Sequence, residues 1–226
     1  MPKLIVGRHT ETIFNQQNIF TGCMDVPLSA KGIAQANSMI NSIYTENIDV
    51  VFTSGLQRAK ETAAILMQAY YEKRHDKYPV FGESRRYCTD KYIPILSDER
   101  LNERSYGILE GLNKKEVELK YGKQQVFLWR RGWSESPKSG ESLQDVCVRV
   151  HSCLNDVIIP LLKERNNVLI ICHQNSVRAI KIILENINSA DVAYIEFANG
   201  EFMYFYYDDG QLHPLRKNKY RKLKSG

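Results

Sequence analysis

Apolar and polar residues follow one another along this chain in blocks that predict strands separated by helices. Two apolar runs, at residues 4–6 and 168–172, are short, continuous and bounded by glycine or polar residues. Such runs are typical of strands buried on both faces of a parallel sheet. Further strands are predicted at residues 49–54, 92–96 and 202–207.

Apolar residues spaced three or four positions apart predict the helices between these strands. The first helix opens at residues 28–32 with Ser29 as its N-cap, and its inner face is predicted to hold Ile33, Ala36, Met39, Ile40 and Ile43. The next is predicted over residues 55–71, with Ser54 as its N-cap. Other helices are predicted at residues 113–121, 123–133, 141–163 and 177–186.

Strands that alternate with helices predict an α/β fold around a mainly parallel central sheet. The 226 residues are enough for one large domain or for two small ones. We interpret residues 1–226 as a single domain, with an ordered loop at 10–23 in place of a regular element. Residues 72–100 are dense in charge and are interpreted as an insertion of local turns before the strand at 92–96. Residues 210–226 are interpreted as a turn and a basic C-terminal tail.

The overall composition is that of an ordinary globular protein, with 43% hydrophobic and 25% charged residues. The net charge of +5 suits an anionic small molecule as well as a nucleic acid. Basic residues are concentrated in the last eleven positions, where a solvated tail is the ordinary interpretation. Charge therefore indicates an anionic partner without identifying it.

The five cysteines are odd in number and none has CxxC spacing, which favours neither a disulfide framework nor a zinc site. Free cysteines suit a reducing compartment. The chain opens directly into a strand, and no apolar run reaches membrane-spanning length. We therefore expect a cytoplasmic protein that does not bind membranes.

The first strand ends in Arg8 and His9, at the edge where open α/β sheets bind ligands. An arginine offers a planar fork of N–H donors, and a histidine can act as a nucleophile at neutral pH. The strand at 168–172 presents a second histidine, His173, in the same way. A phosphate site and an ordinary charged strand end both fit these residues.

Other candidates are single charges in unusual places. Arg58 lies in the first turns of a helix, where a cation opposes the macrodipole unless an anion is shared there. Glu103 lies among polar residues, as either a surface carboxylate or a general acid/base would. Arg130 and Arg131 follow Trp129 and diverge by about 100°, so both can serve one ligand only if the segment flanks it.

The residues Arg8-His9-Thr10-Glu11 resemble the Arg-His-Gly-Glu signature of the histidine phosphatase superfamily, and the chain is most similar to its bisphosphoglycerate-dependent phosphoglycerate mutases. The likeness extends over nearly the whole chain in the same order. It includes Phe20-Thr21-Gly22, residues 25–32, Thr53-Ser54 with Arg58-Ala59, residues 101–107 and 111–114, Tyr121-Gly122 with Gln125-Val126, Trp129-Arg130-Arg131, residues 140–143 and residues 173–178.

This resemblance implies a three-layer α/β/α sandwich that interconverts 3- and 2-phosphoglycerate in glycolysis and gluconeogenesis. It implies that His9 is phosphorylated, that Arg8, Arg58 and His173 hold the phosphoryl oxygens, and that Glu103 shuttles the proton of the substrate hydroxyl. The residues implied to bind phosphoglycerate are Asn15, Thr21, Gly22, Tyr106, Lys114, Arg130, Arg131 and Asn175. The implied cofactor is 2,3-bisphosphoglycerate as primer, with no metal. The implied partners are small phosphoglycerates and a second copy of the chain in a homodimer, with no nucleic acid.

Three functions compete within this resemblance. The first is the mutase, the second is a histidine-type phosphatase that hydrolyses small phosphomonoesters, and the third is a non-catalytic binding or regulatory protein. Lys114, Arg130 and Arg131 favour the mutase, because a broad phosphatase does not need a cationic subsite for the acid end of its substrate. Every catalytic residue type is present, which disfavours the third function.

The chain also departs from the family's pattern. Thr10 and Gln174 stand where the family has glycine, and Cys23 replaces a tryptophan. The insertion at 72–100 is longer than usual, and the connection at 134–140 is shorter. Glycine permits positive φ or close backbone approach to a ligand, so we expect the side chains of Thr10 and Gln174 to crowd the phosphate and slow the enzyme. An amide hydrogen bond from Gln174 to the phosphate would offset part of that loss.

Overall fold

A sheet of seven strands runs through the residues that the computed structural model describes, 1–82 and 91–215. The strands lie in the order β3-β4-β2-β5-β1-β6-β7. The first five strands in this order form four parallel pairs, and β6 and β7 add two antiparallel pairs at one edge. The bounds are β1 Lys3–Arg8, β2 Val50–Thr53, β3 Tyr78–Phe81, β4 Tyr92–Ser97, β5 Val168–Cys172, β6 Phe202–Asp208 and β7 Gln211–Pro214. The prediction of a mainly parallel sheet is confirmed.

Helices connect the parallel strands. Their bounds are α1 Ile13–Gln16, α2 Ala30–Ser38, α3 Ile40–Ile43, α4 Gln57–Arg74, α5 Lys114–Tyr121, α6 Lys123–Arg131, α7 Leu143–Cys153, α8 Ile159–Lys163 and α9 Gln174–Glu185. A π-helical segment, Leu154–Ile158, joins α7 to α8. Pro160 is the second residue of α8 and cannot donate a backbone hydrogen bond, which accounts for an irregular turn just before it.

The sheet has one hydrophobic core on each face. Along β5, Val168 and Ile170 pack with α7, α8 and α9, while Leu169 and Ile171 pack with α3 and α4. All five residues of β5 are buried, as a strand covered on both faces requires. The three-layer α/β/α sandwich is therefore confirmed.

Three details of the predicted helices are wrong. Ile33 is 46% exposed, because the inward stripe of α2 begins one residue earlier, at Gly32, and each residue turns the helix by about 100°. Ser54 does not cap a helix, since α4 begins at Gln57 and its N-cap residue, Leu56, makes no side-chain cap. The helix predicted from residue 177 begins three residues earlier, at Gln174.

Three short elements were not predicted. Within 10–23, α1 forms because Thr12 and Asn15 make a reciprocal capping box. Strand β3 lies in the segment interpreted as local turns, and β7 lies in the segment interpreted as a tail. Both are exposed edge strands that contain proline, so they lack a buried apolar pattern. Residues 83–90 and 216–226, which hold the rest of those two segments, lie outside the described residues.

Candidate active site

The carboxyl-terminal ends of β1 and β5 border a cavity of about 660 Å³. Apart from His173, every residue singled out from the sequence for catalysis or binding lines it. These are Arg8, His9, Asn15, Thr21, Gly22, Arg58, Glu103, Tyr106, Lys114, Arg130, Arg131 and Asn175. The sheet edge thus brings together residues that are up to 167 positions apart, from Arg8 to Asn175.

His9 presents one nitrogen to this cavity in a defined state. Its Nδ1 lies 2.6 Å from the carbonyl oxygen of Thr10, and a carbonyl can only accept, so Nδ1 carries the proton and Nε2 keeps its lone pair. The residue is 3% exposed. Burial, and then the charges of Arg58 and Arg8, hold the pKa of His9 well below its ordinary value. His9 is therefore neutral at pH 7, with a free nitrogen that can attack an electrophile.

His173 lies behind His9, with the two ring centroids 5.0 Å apart. Its Nε2 is 2.6 Å from the hydroxyl oxygen of Ser54, the residue expected to cap a helix. Its Nδ1 is buried and has no partner among the described residues. Burial, and then the charge of Arg58, lower the pKa of His173 as well. If the Ser54 hydroxyl donates to Nε2, Nδ1–H remains available to an anion.

Arg58 is fully buried and holds the loop that follows α1. Its Nη1 and Nη2 donate to the carbonyl oxygens of Met24 and Gly22, at 2.9 and 2.8 Å. Its Nε is buried without a partner in the described part of the chain, and so is the Nε of Arg8. Burial lowers the pKa of both guanidiniums, and Glu103 opposes that shift in both. Unpaired buried donors are costly, and an anion between them would satisfy both.

The loop held by Arg58 depends on a glycine. Gly22 has a φ of +51°, and a Cβ there would lie 2.1 Å from Oε1 of Glu110. That carboxylate accepts hydrogen bonds from the backbone N–H groups of Cys23 and Tyr106, at 3.2 and 2.8 Å. Glu110 thus ties the loop around Gly22 to the segment that carries Glu103, and the sequence alone gave no signal for this role.

Glu103 is held by one of its two carboxylate oxygens. Oε1 accepts three hydrogen bonds, from the backbone N–H of Arg104 at 2.8 Å, the backbone N–H of Asn175 at 3.2 Å and Nδ2 of Asn175 at 3.0 Å. Oε2 has no such partner among the described residues. The residue is 8% exposed. A carboxylate fixed in this way can exchange a proton through Oε2 while Oε1 keeps its position.

A second cationic group lies at the end of α6 and the start of α5. The end of α6 flanks the cavity, so Arg130 and Arg131 both line it. Two adjacent helical residues can contact the same ligand only in such an arrangement. Arg131 forms an ion pair with Glu196, while Arg130 is 3.8 Å from Glu118. Burial, and then the neighbouring charge of Arg130, lower the pKa of Lys114.

Two neutral side chains complete this part of the wall. Asn15 uses its Oδ1 to accept the backbone N–H of Thr12, which leaves its amide N–H groups unused in that cap. Tyr106 accepts a hydrogen bond from Arg104 at 3.1 Å. Burial raises the pKa of the Tyr106 phenol, but the charge of Arg104 and the hydrogen bonds from Arg104 and Asn175 together lower it below its ordinary value. Both side chains are suited to bind an anion or a hydroxyl.

Several lining residues were not selected from the sequence. The set includes Phe20, Arg178, Glu196, Phe197 and Glu201. Arg178 had one usable signal, since it lies three positions after Asn175 on the same helix and must share its face. Glu196 and Glu201 had none, because they belong to an irregular loop before β6.

Thr10 does not lie where its position next to His9 predicts. Its side chain does not line the cavity; instead, its Oγ1 is 3.3 Å from Oγ1 of Thr62, which also accepts the backbone N–H of Thr10 at 3.2 Å. Neither Thr10 nor Gln174 has a positive φ. The predicted crowding by Thr10 is therefore wrong, while Gln174 does line the cavity.

Within residues 1–82 and 91–215, no three histidine, cysteine, aspartate or glutamate side chains are grouped so that they could hold a metal ion. No helix in the same residues combines the length and the apolar character that crossing a membrane requires.

Similarity to known proteins was found at three levels. The model of the histidine phosphatase superfamily (branch 1) matches residues 4–77 and 84–219. The chain is 40% identical over 200 residues to a 2,3-bisphosphoglycerate-dependent phosphoglycerate mutase of Cytophaga hutchinsonii, covering 88% of this chain and 85% of that one. It is 36% identical to a protein of the same name from Methanococcus vannielii, covering 95% of this chain and 94% of that one. A relative so named in Arabidopsis thaliana is 37% identical over 92% of this chain, which spans 65% of that relative's length.

Solved structures of low identity share the fold. The YhfR protein of Bacillus stearothermophilus superposes with a TM-score of 0.75 at 21% identity, covering 96% of each chain. A mycobacterial glucosyl-3-phosphoglycerate phosphatase superposes with a TM-score of 0.73 at 21% identity, covering 91% of this chain and 92% of that one. The family model and the relatives of 36–40% identity show that the chain belongs to branch 1 of the histidine phosphatase superfamily and, within it, to the family of 2,3-bisphosphoglycerate-dependent phosphoglycerate mutases.

Proposed function

We propose that this protein interconverts 3-phosphoglycerate and 2-phosphoglycerate through a phosphohistidine at His9. One observation supports this most strongly. A neutral, buried His9 with a free Nε2 faces a cavity that holds two separate cationic groups. Arg8 and Arg58 form one group beside His9, and Lys114, Arg130 and Arg131 form the other. A substrate with a phosphate at one end and a carboxylate at the other matches both groups.

His9 acts as the nucleophile. Its Nε2 forms a bond to phosphorus while the ester P–O bond breaks on the opposite side of the phosphorus, and the steps run in reverse when the phosphoryl group returns. Phosphoryl transfer depends mainly on positioning and on neutralising charge on the phosphoryl oxygens. Arg8 and Arg58 supply that charge from two sides, and their buried, unpaired Nε–H groups are suited to it. His173 adds a third donor through Nδ1.

Glu103 handles the proton. When the phosphoryl group leaves the substrate, Oε2 gives a proton to the oxygen that keeps the electron pair of the broken bond. When a hydroxyl attacks phospho-His9, Oε2 takes the proton from that hydroxyl. The three N–H donors on Oε1 keep the carboxylate in place through both steps.

The second cationic group orients the glycerate. Arg130 and Arg131 hold the carboxylate, and Lys114 binds the phosphate that is not being transferred. Asn15, Thr21, Gly22 and Tyr106 provide neutral donors on the remaining walls, and Asn175 lies beside them with its side-chain N–H groups on Glu103 and Tyr106. Because 3-phosphoglycerate becomes 2-phosphoglycerate only if the intermediate turns within the site, this group must accept both orientations.

The primer of the reaction is 2,3-bisphosphoglycerate, and when bound it supplies the phosphoryl group that charges His9. The residues fit it, since two cationic groups in one cavity suit a molecule with two phosphates. We further propose that the protein works in the cytoplasm, which suits its four described free cysteines, and that it assembles as a homodimer, as the family resemblance implies. Light scattering in solution measures the molar mass and so tests the homodimer.

A coupled assay tests the proposal. Conversion of 3-phosphoglycerate to 2-phosphoglycerate is followed with enolase, with and without 2,3-bisphosphoglycerate, while free phosphate is measured in parallel. The proposal requires conversion that depends on the bisphosphate and exceeds phosphate release. Release of phosphate without conversion identifies a histidine-type phosphatase, and neither activity identifies a non-catalytic protein.

A further inference from the structure

Arg178 is fully buried, yet it lines the cavity and binds three segments of the chain at once. Its two terminal nitrogens donate to four oxygen atoms. Nη1 donates to Oδ1 of Asn175 at 2.8 Å and to the carbonyl of Arg130 at 3.3 Å, and Nη2 donates to the carbonyls of Arg131 at 3.1 Å and Val192 at 2.8 Å. No role for this residue follows from the proposed chemistry itself.

The first consequence concerns Asn175. A guanidinium has donors only, so the Asn175 amide must turn its Oδ1 toward Arg178 and its N–H groups the other way. Those N–H groups then meet Oε1 of Glu103 at 3.0 Å and the hydroxyl of Tyr106 at 3.4 Å. Arg178 therefore determines which face of the amide the proton-transferring carboxylate encounters.

The second consequence concerns the end of α6. The last carbonyls of a helix have no partner within the helix. Arg178 binds two of them, at Arg130 and Arg131, and brings a positive charge to the negative end of the helix dipole. These contacts fix the backbone from which the two substrate-binding guanidiniums project.

Burying Arg178 in this way is unfavourable for the stability of the folded protein. Arg104 and Arg131 are close enough to oppose the charge of Arg178, and the Nε of Arg178 has no partner among the described residues. Burial, followed by those two charges, lowers the pKa of Arg178 to about 9. A buried cation among cations is weak evidence for a stabilising role, and costs of this kind are typical of functional sites.

We infer that Arg178 is a positioning residue that couples the carboxylate of Glu103, through Asn175, to the substrate-binding pair Arg130 and Arg131. The kinetic part of this inference rests on the proposed mutase activity. The structural part, that Arg178 orients the Asn175 amide and the end of α6, does not.

The kinetic test compares Arg178→Met with Arg74→Met. Arg74 is a matched control, because it also donates to backbone carbonyls of another segment, at Tyr44 and Glu46, far from the cavity. We expect Arg178→Met to lower kcat by about 10²-fold, the effect of a misplaced reacting group, and to raise KM by roughly tenfold, whereas Arg74→Met changes neither.

A double-mutant cycle separates positioning from general damage. In an Asn175→Ala background the path from Arg178 to Glu103 is already broken, so Arg178→Met should lower kcat no further. It should still raise KM, because the contacts with Arg130 and Arg131 are lost in either background. Independent, additive losses in kcat would overturn the coupling.

Two measurements test the inference without relying on enzymatic turnover. NMR of the Asn175 side-chain amide, assigned by its absence in Asn175→Ala, should show slow solvent exchange in the wild type and fast exchange in Arg178→Met. Calorimetry should show that Arg178→Met binds 3-phosphoglycerate more weakly than the wild type does. If the amide and the affinity are unchanged, the inference is wrong, and if only turnover is missing in every variant, it is the mutase proposal that fails. Should Arg178→Met not fold, Arg178→Lys keeps the charge but cannot reach four oxygens, and the same outcomes apply.

Discussion

The Nδ1 atom of His9 lies 2.6 Å from the carbonyl oxygen of Thr10, its own neighbour in the chain. The acceptor belongs to the backbone, so no side-chain substitution at residue 10 removes it directly. It fixes the tautomer of the ring before any ligand binds, and the fixed tautomer leaves Nε2 as the one reactive nitrogen.

The first prediction concerns the site of phosphorylation. Incubation with labelled 2,3-bisphosphoglycerate should give an acid-labile, base-stable phosphoprotein whose ³¹P NMR spectrum is that of a histidine phosphorylated on Nε2. His9→Ala should abolish the label. His151→Ala is the control, because His151 is exposed on α7, where its ring contacts Asn155. A phosphoryl group on Nδ1, or full labelling of His9→Ala, would contradict the tautomer argument.

The second prediction concerns stability against pH. The pKa values of His9 and His173 lie well below 6.5 in the folded protein and close to 6.5 in the unfolded chain. Between these values the unfolded chain binds more protons, so the free energy of unfolding decreases as the pH falls below about 6.5. Above that pH the two rings contribute no pH dependence.

Calorimetric melting from about pH 7.5 to about pH 5.5 checks this, since the interval spans the ordinary histidine pKa. Each ring can contribute up to about 1.4 kcal/mol per pH unit. His9→Gln should flatten the dependence of Tm on pH. An equal slope in His9→Gln and the wild type would mean that His9 is not held neutral.

Much of the site could be predicted because it lies at strand ends. Buried runs that stop abruptly at Arg8 and at His173 locate the edge of the sheet where ligands bind, and the periodicity of the chain reveals both runs. The end of α6 was also recognisable, since two adjacent arginines beside a tryptophan are unusual in a solvated helix.

What could not be predicted depends on contacts between distant segments. Ser54 precedes a helix and matches the local rule for an N-cap, but a buried histidine 119 positions away takes its hydroxyl instead. Glu196 and Glu201 reach the cavity from a loop without periodicity. Strand β3 forms because β4 offers it a partner, since its own residues lack a strong pattern.

The third prediction concerns proton transfer. Glu103→Gln keeps the size of the side chain and its contacts to the N–H groups of Arg104 and Asn175, but it cannot exchange a proton. Mutase turnover should fall by about 10²–10⁴-fold, the usual contribution of a positioned acid/base. Charging of His9 by the bisphosphate should persist in part, because the arginines around the phosphoryl group remain.

Rapid-quench labelling of His9 and steady-state turnover separate these two effects. Glu164→Gln is the control, since Glu164 is exposed at the end of α8, next to the amino-terminal end of β5. Turnover that survives in Glu103→Gln would remove Glu103 from the mechanism.

The final prediction separates Thr10 from Gln174, the two residues that stand where the family has glycine. Thr10 is packed against Thr62 outside the cavity. Thr10→Gly therefore loses a packed side chain and increases the freedom of the unfolded chain, which should cost about 1 kcal/mol of stability. Its kcat and KM should stay within roughly twofold of the wild type, about 0.4 kcal/mol.

Gln174 should behave in the opposite way. Its Oε1 is buried without a donor among the described residues, in a cavity that six Lys and Arg side chains line, and an acceptor there repels the oxygens of an anion. Gln174→Gly and Gln174→Ala should both raise kcat/KM for 3-phosphoglycerate, by on the order of fivefold, or about 1 kcal/mol. The alanine variant keeps a Cβ, so equal gains implicate the amide and a larger gain for glycine implicates bulk. If both variants lose activity while their circular dichroism and Tm are unchanged, the amide donates to the phosphate and assists the reaction, and the proposed repulsion has the wrong sign.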